Sequence, residues 1–409
     1  MIDLILAIGI MMIIGFFGGQ LAHRFKFPMV TGYIVAGILL SPSLLNIIPQ
    51  AAIDRLDIFV SIALAIIAYS IGGSLRFKSI REMGRSIAWI TPLQSLGAWF
   101  LSTLVLALTA PFILDIPLAT FWNTYFPIAF IIGAIASATA PAVIIALVHE
   151  YRAKGPLTTT LLSVVALDDA IAIIAFAIAI GISEPLVTMV GNLSWYAMLA
   201  APLLEILGSI ALGTVLSIPL IYIARLAKSR PLLLVLVLGT IMLCVGISNL
   251  LGFSVVLANM VIGLAIANWG KRDEFYLVID DIEDVIFTLF FVFAGLHFNI
   301  GTIMSTGLLA LLIVVTGFTG KYFGARAGAQ LASSPVVVKK YLGLALLPKA
   351  GVSIGLALLA QSAFPSFGAL IFNAMLASVI VNELVAPPLV RYAIFKAGES
   401  TLRSEKVTK

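Results

Sequence analysis

Apolar runs of about 20 residues follow one another along almost the whole chain, and they constrain the fold more than any other feature. A helix that crosses the hydrocarbon core of a bilayer needs about 20 mostly apolar residues. Only 11% of the residues are charged and 61% are hydrophobic, whereas a soluble domain has about a quarter of its residues charged. The sequence therefore predicts an all-α, polytopic membrane protein.

Thirteen segments have the length and composition of membrane-spanning helices when the sequence is divided at charges, prolines and glycines. The predicted spans cover residues 1–22, 28–42, 56–74, 87–113, 125–149, 157–182, 197–224, 231–249, 251–268, 276–297, 302–332, 341–362 and 368–394. The pair 231–249 and 251–268 can also be read as one interrupted segment.

Basic residues are distributed unequally between the two sides that these spans define. One side holds 20 of the 24 lysines and arginines, and the loops of the opposite side hold Arg55 alone. Because cytoplasmic loops are enriched in Lys and Arg, we expect the N-terminus outside and the C-terminus in the cytoplasm, with the protein in the inner membrane. Residues 1–396 are then a transmembrane transporter domain, and residues 397–409 a short, mobile cytoplasmic tail.

Two predicted spans contain a proline that opposes helix at the preceding residue. Span 125–149 contains Pro141, and span 341–362 contains Pro348 beside Lys349 and Gly351. These spans are the middle members of two three-helix groups that enter the membrane from opposite sides. Interrupted helices at matching places in inverted repeats point to a substrate site near the bilayer midplane.

Charged residues in the predicted membrane interior mark the candidate site. Asp168 and Asp169 lie about 16 Å into their span at 1.5 Å per residue, and Lys321 lies at the same predicted depth. A carboxylate there costs at least about 2.5 kcal/mol unless it faces a wet cavity or a partner, so we expect an Asp168–Lys321 pair. Thr139 and the carbonyl groups freed around Pro141 would add oxygen ligands for a cation.

Two further charges fall inside predicted spans, and each has two readings. Lys349 is eight residues from the cytoplasmic end of its span. It either places positive charge at the second break or extends to the membrane surface. Glu383 is either a further member of the site or the partner of a lysine elsewhere.

The charges around Asp168 and Asp169 suit the exchange of a cation for protons. A bound cation can replace a proton, or the lysine, as the countercharge of the carboxylates. If protons and a cation exclude each other from the site and only occupied sites cross, obligatory antiport results. No P-loop nucleotide-binding motif occurs in the sequence, so an ion gradient is the expected energy source. No cofactor, enzymatic activity or nucleic-acid partner is expected.

Several motifs resemble those of the second branch of the monovalent cation:proton antiporter superfamily, the bacterial sodium/proton antiporter type. They follow the family order along nearly the whole chain. They are PMVTGYIVAGILLSP at 28–42, with Ser41 in place of the usual glycine, the aspartate pair 168–169, FFVFAGLH at 290–297, GKYFG at 320–324 and PKAGVS at 348–353, where relatives often carry arginine.

The resemblance implies that Asp169 is the main ligand of the cation and the proton, and that Asp168 pairs with Lys321. Na⁺ is the implied cation, with K⁺ and Li⁺ as alternatives, and the paired aspartates imply electrogenic exchange that serves pH homeostasis. Ala140 stands where some relatives carry an acid, so the ligand set at the first break is expected to differ.

The resemblance also implies a homodimer in membrane lipid that works by an elevator-like movement. The moving core domain would comprise roughly 87–182 and 302–394. The scaffold and dimer domain would comprise roughly 1–86 and 231–297, with a linker helix at 197–224.

Other functions fit these residues less well. A sodium-coupled symporter of an organic anion on the same fold would need a roomier polar cavity and no buried lysine. An ion channel would be expected to carry a repeated filter sequence. An intramembrane aspartyl protease needs its two acids on separate helices, and no HExxH metalloprotease motif occurs in the sequence.

Overall fold

The structure is a computed structural model that describes residues 3–25, 27–75, 77, 84–114, 116–188, 195–224, 229–270, 279–299, 301, 303–349 and 351–400. Within these ranges the regular secondary structure is helical, and the β-type pairing is limited to an isolated antiparallel bridge between Ala153 and Ser400. The prediction of an all-α protein is therefore confirmed.

Fifteen α-helices are described within these ranges. They are α1 (Leu4–Arg24), α2 (Met29–Leu40), α3 (Gln50–Ser74), α4 (Gly84–Ile113), α5 (Phe126–Ala136), α6 (Pro141–Glu150), α7 (Pro156–Thr188), α8 (Trp195–Ile223), α9 (Arg230–Leu251), α10 (Val255–Trp269), α11 (Asp280–Leu296), α12 (Ile303–Leu331), α13 (Val336–Ala345), α14 (Gly351–Ala363) and α15 (Gly368–Ala397). A π-helical turn at Phe121–Tyr125 leads into α5.

Seven of the described segments are long and apolar enough to cross a bilayer, which makes the chain a multi-pass membrane protein. They are Leu4–Arg24, Gly84–Ile113, Pro156–Thr188, Leu203–Ile223, Arg230–Leu251, Thr306–Leu331 and Gly368–Ala397. Each of the thirteen predicted spans overlaps a described helix or the two halves of an interrupted one. That all thirteen cross the membrane stays a prediction.

The two readings of residues 231–268 are resolved in favour of two helices. Helix α9 ends at Leu251, and Gly252 follows it with φ 68°, in the left-handed conformation that ends many helices. Ser254 then caps α10, because its side chain accepts a hydrogen bond from the backbone N–H of Leu257 at 3.2 Å.

The orientation in the membrane stays a prediction. Many of the basic residues on which it depends lie outside the described residues: Lys26, Arg76, Lys78, Arg81, Arg225, Lys228, Lys271, Arg272, Arg403, Lys406 and Lys409.

Both predicted helix interruptions are confirmed. Helix α5 ends at Ala136 and α6 begins at Pro141. The proline occupies the first turn of α6, where a backbone N–H would have no acceptor within the helix. Helix α13 ends at Ala345 and α14 begins at Gly351, with Pro348 in the break between them.

The chain divides into two compact units. The first comprises Met1–Ile80, Ile180–Pro185 and Gly191–Ile300. Its helices approach one another at glycines: α1 and α2 meet at Gly18 and Gly32, and α3 and α10 meet where Gly72 and Gly263 face the opposite helix. A Cβ atom at any of these glycines would overlap the backbone of the facing helix, so small residues set the spacing.

The second unit comprises Arg81–Ala179, Leu186–Val190 and Gly301–Lys409. It contains both breaks and most of α7. Helices α4 and α12 pack closely along its length, with Gly97 of α4 against Gly320 of α12 and with Gly324 and Gly328 of α12 against the α4 backbone. This packing places the middle of α4 beside the middle of α12. That these units act as scaffold and core stays a prediction.

Candidate ion-binding site

Helix α7 carries the two aspartates into the interior of the second unit. Asp168 is twelve positions beyond the first residue of α7, or about 18 Å along the helix axis. Asp168 is 0% exposed and Asp169 is 2% exposed. Both carboxyl groups therefore depend on protein groups, rather than on bulk water, for hydrogen bonds.

Asp168 accepts hydrogen bonds from three other elements. The amide of Gln94 and the hydroxyl of Ser95, both on α4, donate to Oδ1. The hydroxyl of Thr139, in the first break, donates to Oδ2. Lys321 Nζ lies 3.4 Å from the same oxygen. Both oxygens of Asp168 are thus engaged, which fixes the orientation of this carboxylate.

Lys321 is 0% exposed and joins α12 to the first break. Its ammonium donates to the carbonyl oxygen of Ala138 at 2.7 Å and to Thr139 Oγ1 at 2.6 Å, besides its contact with Asp168. An ammonium group has three N–H donors, so Lys321 uses all of them inside the site. The Ala138 carbonyl that it binds is one that the interruption of the helix has freed.

Asp169 differs from its neighbour. Within the described part of the chain, no donor lies within hydrogen-bond distance of its Oδ1, although this atom is buried. The backbone amide of Thr139 contributes a hydrogen bond to the carboxylate. Asp168 and Lys321 are the charged groups that act on it electrostatically. Asp169 therefore keeps one buried oxygen open to a ligand.

The two breaks are joined directly. The backbone N–H of Ala140 donates to the carbonyl oxygen of Pro348 at 2.8 Å. The hydroxyl of Ser353, in the first turn of α14, contacts the carbonyl oxygen of Ile135 at 3.5 Å. Backbone groups that the breaks release are therefore satisfied by protein, which is the condition under which irregular backbone is tolerated inside a membrane.

Lys349 lies in the second break and is 1% exposed, so its side chain does not extend to the surface of the unit. No acceptor in the described ranges is within hydrogen-bond distance of its Nζ. The ammonium lies over Gly317 of α12, where an added Cβ would be 2.8 Å from Nζ. Lys321 and Asp168 are the charges that act on it electrostatically.

Glu383 is 1% exposed on α15 of the same unit. Its participation in ion binding stays a prediction.

Gln94 and Ser95 were not among the residues predicted for the site. The available signal was Gln94, the single amide side chain of the predicted span 87–113, with Ser95 next to it. Both side chains are buried, at 0% and 1% exposed, and both bind Asp168.

Sequence comparison relates the chain to known antiporters. A family model described as "Sodium/hydrogen exchanger, transmembrane" matches residues 9–392. The Na(+)/H(+) antiporter NhaS4 of Synechocystis sp. is 25% identical over 407 residues, with 95% of each chain covered. The high-affinity Na(+)/H(+) antiporter NhaS3 of the same organism is 22% identical over 441 residues, which cover 95% of this chain and 89% of that protein.

The fold is also similar to that of a solved antiporter. The structure of the sodium proton antiporter MjNhaP1 from Methanocaldococcus jannaschii at pH 8 superposes with a TM-score of 0.77 and 17% sequence identity, over 96% of this chain and 98% of that one. The family match covers most of the chain, and it is a family of transporters rather than enzymes. The chain belongs to the sodium/hydrogen exchanger family of transmembrane cation/proton antiporters.

Proposed function

We propose that the chain exchanges Na⁺ for protons at Asp169, and that Asp168 and Lys321 pair with each other beside it when no cation is bound. The proposal is supported most directly by the contrast between the two aspartates. Asp168 is engaged through both oxygens, whereas Asp169 has a buried oxygen without a donor in the described ranges.

A buried carboxylate oxygen of this kind can hold either a proton or a small cation. An isolated ionised carboxylate is costly away from water, so the site is stable when one of the two ligands neutralises it. Na⁺ takes oxygen ligands, including backbone carbonyls of unwound membrane helices. Thr139 and the backbone of the first break, both beside Asp168 and Asp169, are suitable donors of such oxygens.

Antiport follows if the proton and the cation exclude each other at Asp169. The site moves across the membrane when Asp169 holds either a proton or the cation, and a bare carboxylate opposes this movement. Each outward movement with one ion is therefore followed by a return movement with the other. The alternative of sodium-coupled uptake of an organic anion is less well supported, because the Lys321 ammonium is already engaged by three groups of the site.

We propose that the exchange is electrogenic. Asp168 and Lys321 together carry no net charge, and Asp169 adds one carboxylate. If the entering cation also displaces Lys321 from Asp168 and the lysine releases its proton, two protons leave for one cation. Movement of the second unit against the first as an elevator, in a homodimer of the inner membrane, completes the proposal, as the resemblance of the motifs to the antiporter superfamily implies.

The experiment is ion-driven pH change in proteoliposomes that contain the purified protein, tested with Na⁺, K⁺ and Li⁺. Asp169→Asn removes the titratable group and keeps the size of the side chain. Asp284→Asn makes the same chemical change at an exposed residue of α11 and serves as the matched control. We expect Na⁺-dependent proton movement in the wild type and the control, and its loss in Asp169→Asn. Equal rates in all three proteins would refute the proposed site.

A further inference from the structure

The end of the last helix turns back onto the helix that carries the aspartates. Helix α15 ends at Ala397, and Gly398 follows with φ 74° and donates its backbone N–H to the carbonyl oxygens of Ile394 and Phe395. The left-handed glycine reverses the chain direction. Glu399, the next residue, is only 6% exposed. The first residues of the tail expected at 397–409 are therefore ordered, and residues 401–409 lie outside the described residues.

The Glu399 carboxylate caps the first turn of α7. Its Oε1 accepts from the backbone N–H of Leu157 at 2.7 Å, and its Oε2 accepts from the backbone N–H and the hydroxyl of Thr158 at 2.8 and 2.7 Å. The first N–H groups of a helix have no partner within the helix, and negative charge is favoured at this end. An N-cap residue usually accepts hydrogen bonds from these N–H groups. Here the acceptor is Glu399, which is 241 residues away in sequence.

The backbone beside Glu399 binds the α6–α7 connection as well. The N–H of Lys154 donates to the carbonyl oxygen of Glu399 at 2.9 Å. Ala153 and Ser400 form an antiparallel bridge, and the Ser400 hydroxyl donates to the carbonyl oxygen of Tyr151 at 3.2 Å. We call this set of contacts between 398–400 and 151–158 the clasp.

Aromatic contacts and a glycine allow the clasp to close. The rings of Tyr151 and Phe395 pack edge to face at 5.5 Å, and the Arg391 guanidinium lies over both. At Gly155, an added Cβ would be 2.6 Å from Cγ and Oε1 of Glu399. A side chain at this position would therefore displace the carboxylate from the helix end.

The clasp holds both elements that build the ion site at their common end. Helix α6 starts at the first break, just after Thr139, and α7 carries Asp168 and Asp169. The connection that the clasp binds joins these two helices. We propose that Glu399 is a positioning residue for antiport, which keeps the end of α6 and the start of α7 in a fixed relation throughout the transport cycle. This inference rests on the proposed exchange at Asp168 and Asp169.

The expected effect falls on turnover more than on ion affinity. Glu399 does not touch Asp169, and the groups that hold Asp168 come from α4, α12 and the first break. We expect Glu399→Gln to lower the maximal rate of Na⁺-driven proton movement about three- to tenfold, from the loss of a charged cap, while the KM for Na⁺ changes less than about twofold. Glu399→Asp keeps the charge on a shorter side chain and should recover part of the rate.

A reversible disulfide separates this role from a purely structural one. Cys244 is the single cysteine of the sequence, so Cys244→Ser gives a background without thiols. Residues paired across an antiparallel bridge have Cα atoms about 4.5–5.5 Å apart, which a disulfide can span. Ala153→Cys with Ser400→Cys then closes the clasp covalently. In the Glu399→Gln protein, oxidation of this pair should restore the rate and reduction should abolish the gain.

Rates are compared per amount of folded, monodisperse protein in proteoliposomes. An unchanged rate in Glu399→Gln would overturn the inference, and so would inhibition when the disulfide closes on the Glu399-containing protein, because the clasp would then have to open during transport. If the wild type itself moves no protons in response to any cation, the proposed function fails instead.

Discussion

Asp168 and Asp169 are adjacent on one helix and equally buried, yet their carboxylates are held differently. Asp168 accepts from Gln94, Ser95 and Thr139 and lies 3.4 Å from Lys321 Nζ. Asp169 has a buried Oδ1 without a donor among the described residues. A carboxylate that is fully engaged is suited to hold the architecture, and one that is partly open is suited to bind and release ions.

The Asp168–Lys321 pair should be strongly coupled in stability. Removal of one member of a buried pair leaves an unpaired charge and costs about 3–5 kcal/mol, whereas removal of both costs much less. We therefore expect Lys321→Met to lower the thermal unfolding temperature in detergent more than Asp168→Asn combined with Lys321→Met does. The double variant should remain inactive in transport. An equal or larger loss of stability in the double variant would show that the pair is not an energetic unit.

Ser95→Ala should weaken the site although Ser95 does not bind the transported ion. The substitution removes a donor from buried Asp168, a loss of about 1–3 kcal/mol, and should lower both the unfolding temperature and the transport rate. Thr319→Val on α12 is a matched control, because its hydroxyl bonds to the carbonyl oxygen of Val315 in the same helix. Equal effects of the two substitutions would contradict a role for Ser95 at Asp168.

Lys349→Met should stabilise the protein and slow transport. The Lys349 amino group is buried without an acceptor in the described ranges, and burial of such a group is costly whether it stays charged or loses its proton. We expect an increase in unfolding free energy of about 1 kcal/mol or more, by analogy with buried charges replaced by apolar groups, together with a lower rate of exchange. A loss of stability instead would indicate that Lys349 is paired in the folded state.

The sequence was sufficient to predict the features that depend on local chemistry. Pro141 and Pro348 mark the two breaks because proline removes a backbone donor and opposes helix at the preceding residue. Proline alone is not sufficient, since Pro92 and Pro185 lie inside continuous helices. Lys321 could be placed beside Asp168 because depth in a membrane follows from position along a helix. The reading of Lys349 as an extended surface lysine is excluded by its burial.

Other features depend on tertiary packing that no local pattern encodes. Gln94 and Ser95 on α4 bind Asp168 on α7, and neither helix reveals its partner in sequence. The clasp also depends on tertiary packing. A short polar tail predicts mobility. Glu399 is nevertheless held, because the first backbone N–H groups of α7 donate to its carboxylate and Gly155 leaves room for it.

The most direct test of the account is whether Na⁺ and protons compete for Asp169. The measurement is the increase in unfolding temperature that Na⁺ produces in detergent, taken at alkaline and at acidic pH, in the wild type, Asp169→Asn and the Asp284→Asn control. A ligand that binds only the folded state stabilises it by RT ln(1 + [L]/Kd), so weaker binding at the same concentration gives a smaller increase. We expect an increase in the wild type and the control that diminishes at acidic pH, and no increase in Asp169→Asn. An undiminished increase in Asp169→Asn would contradict this expectation.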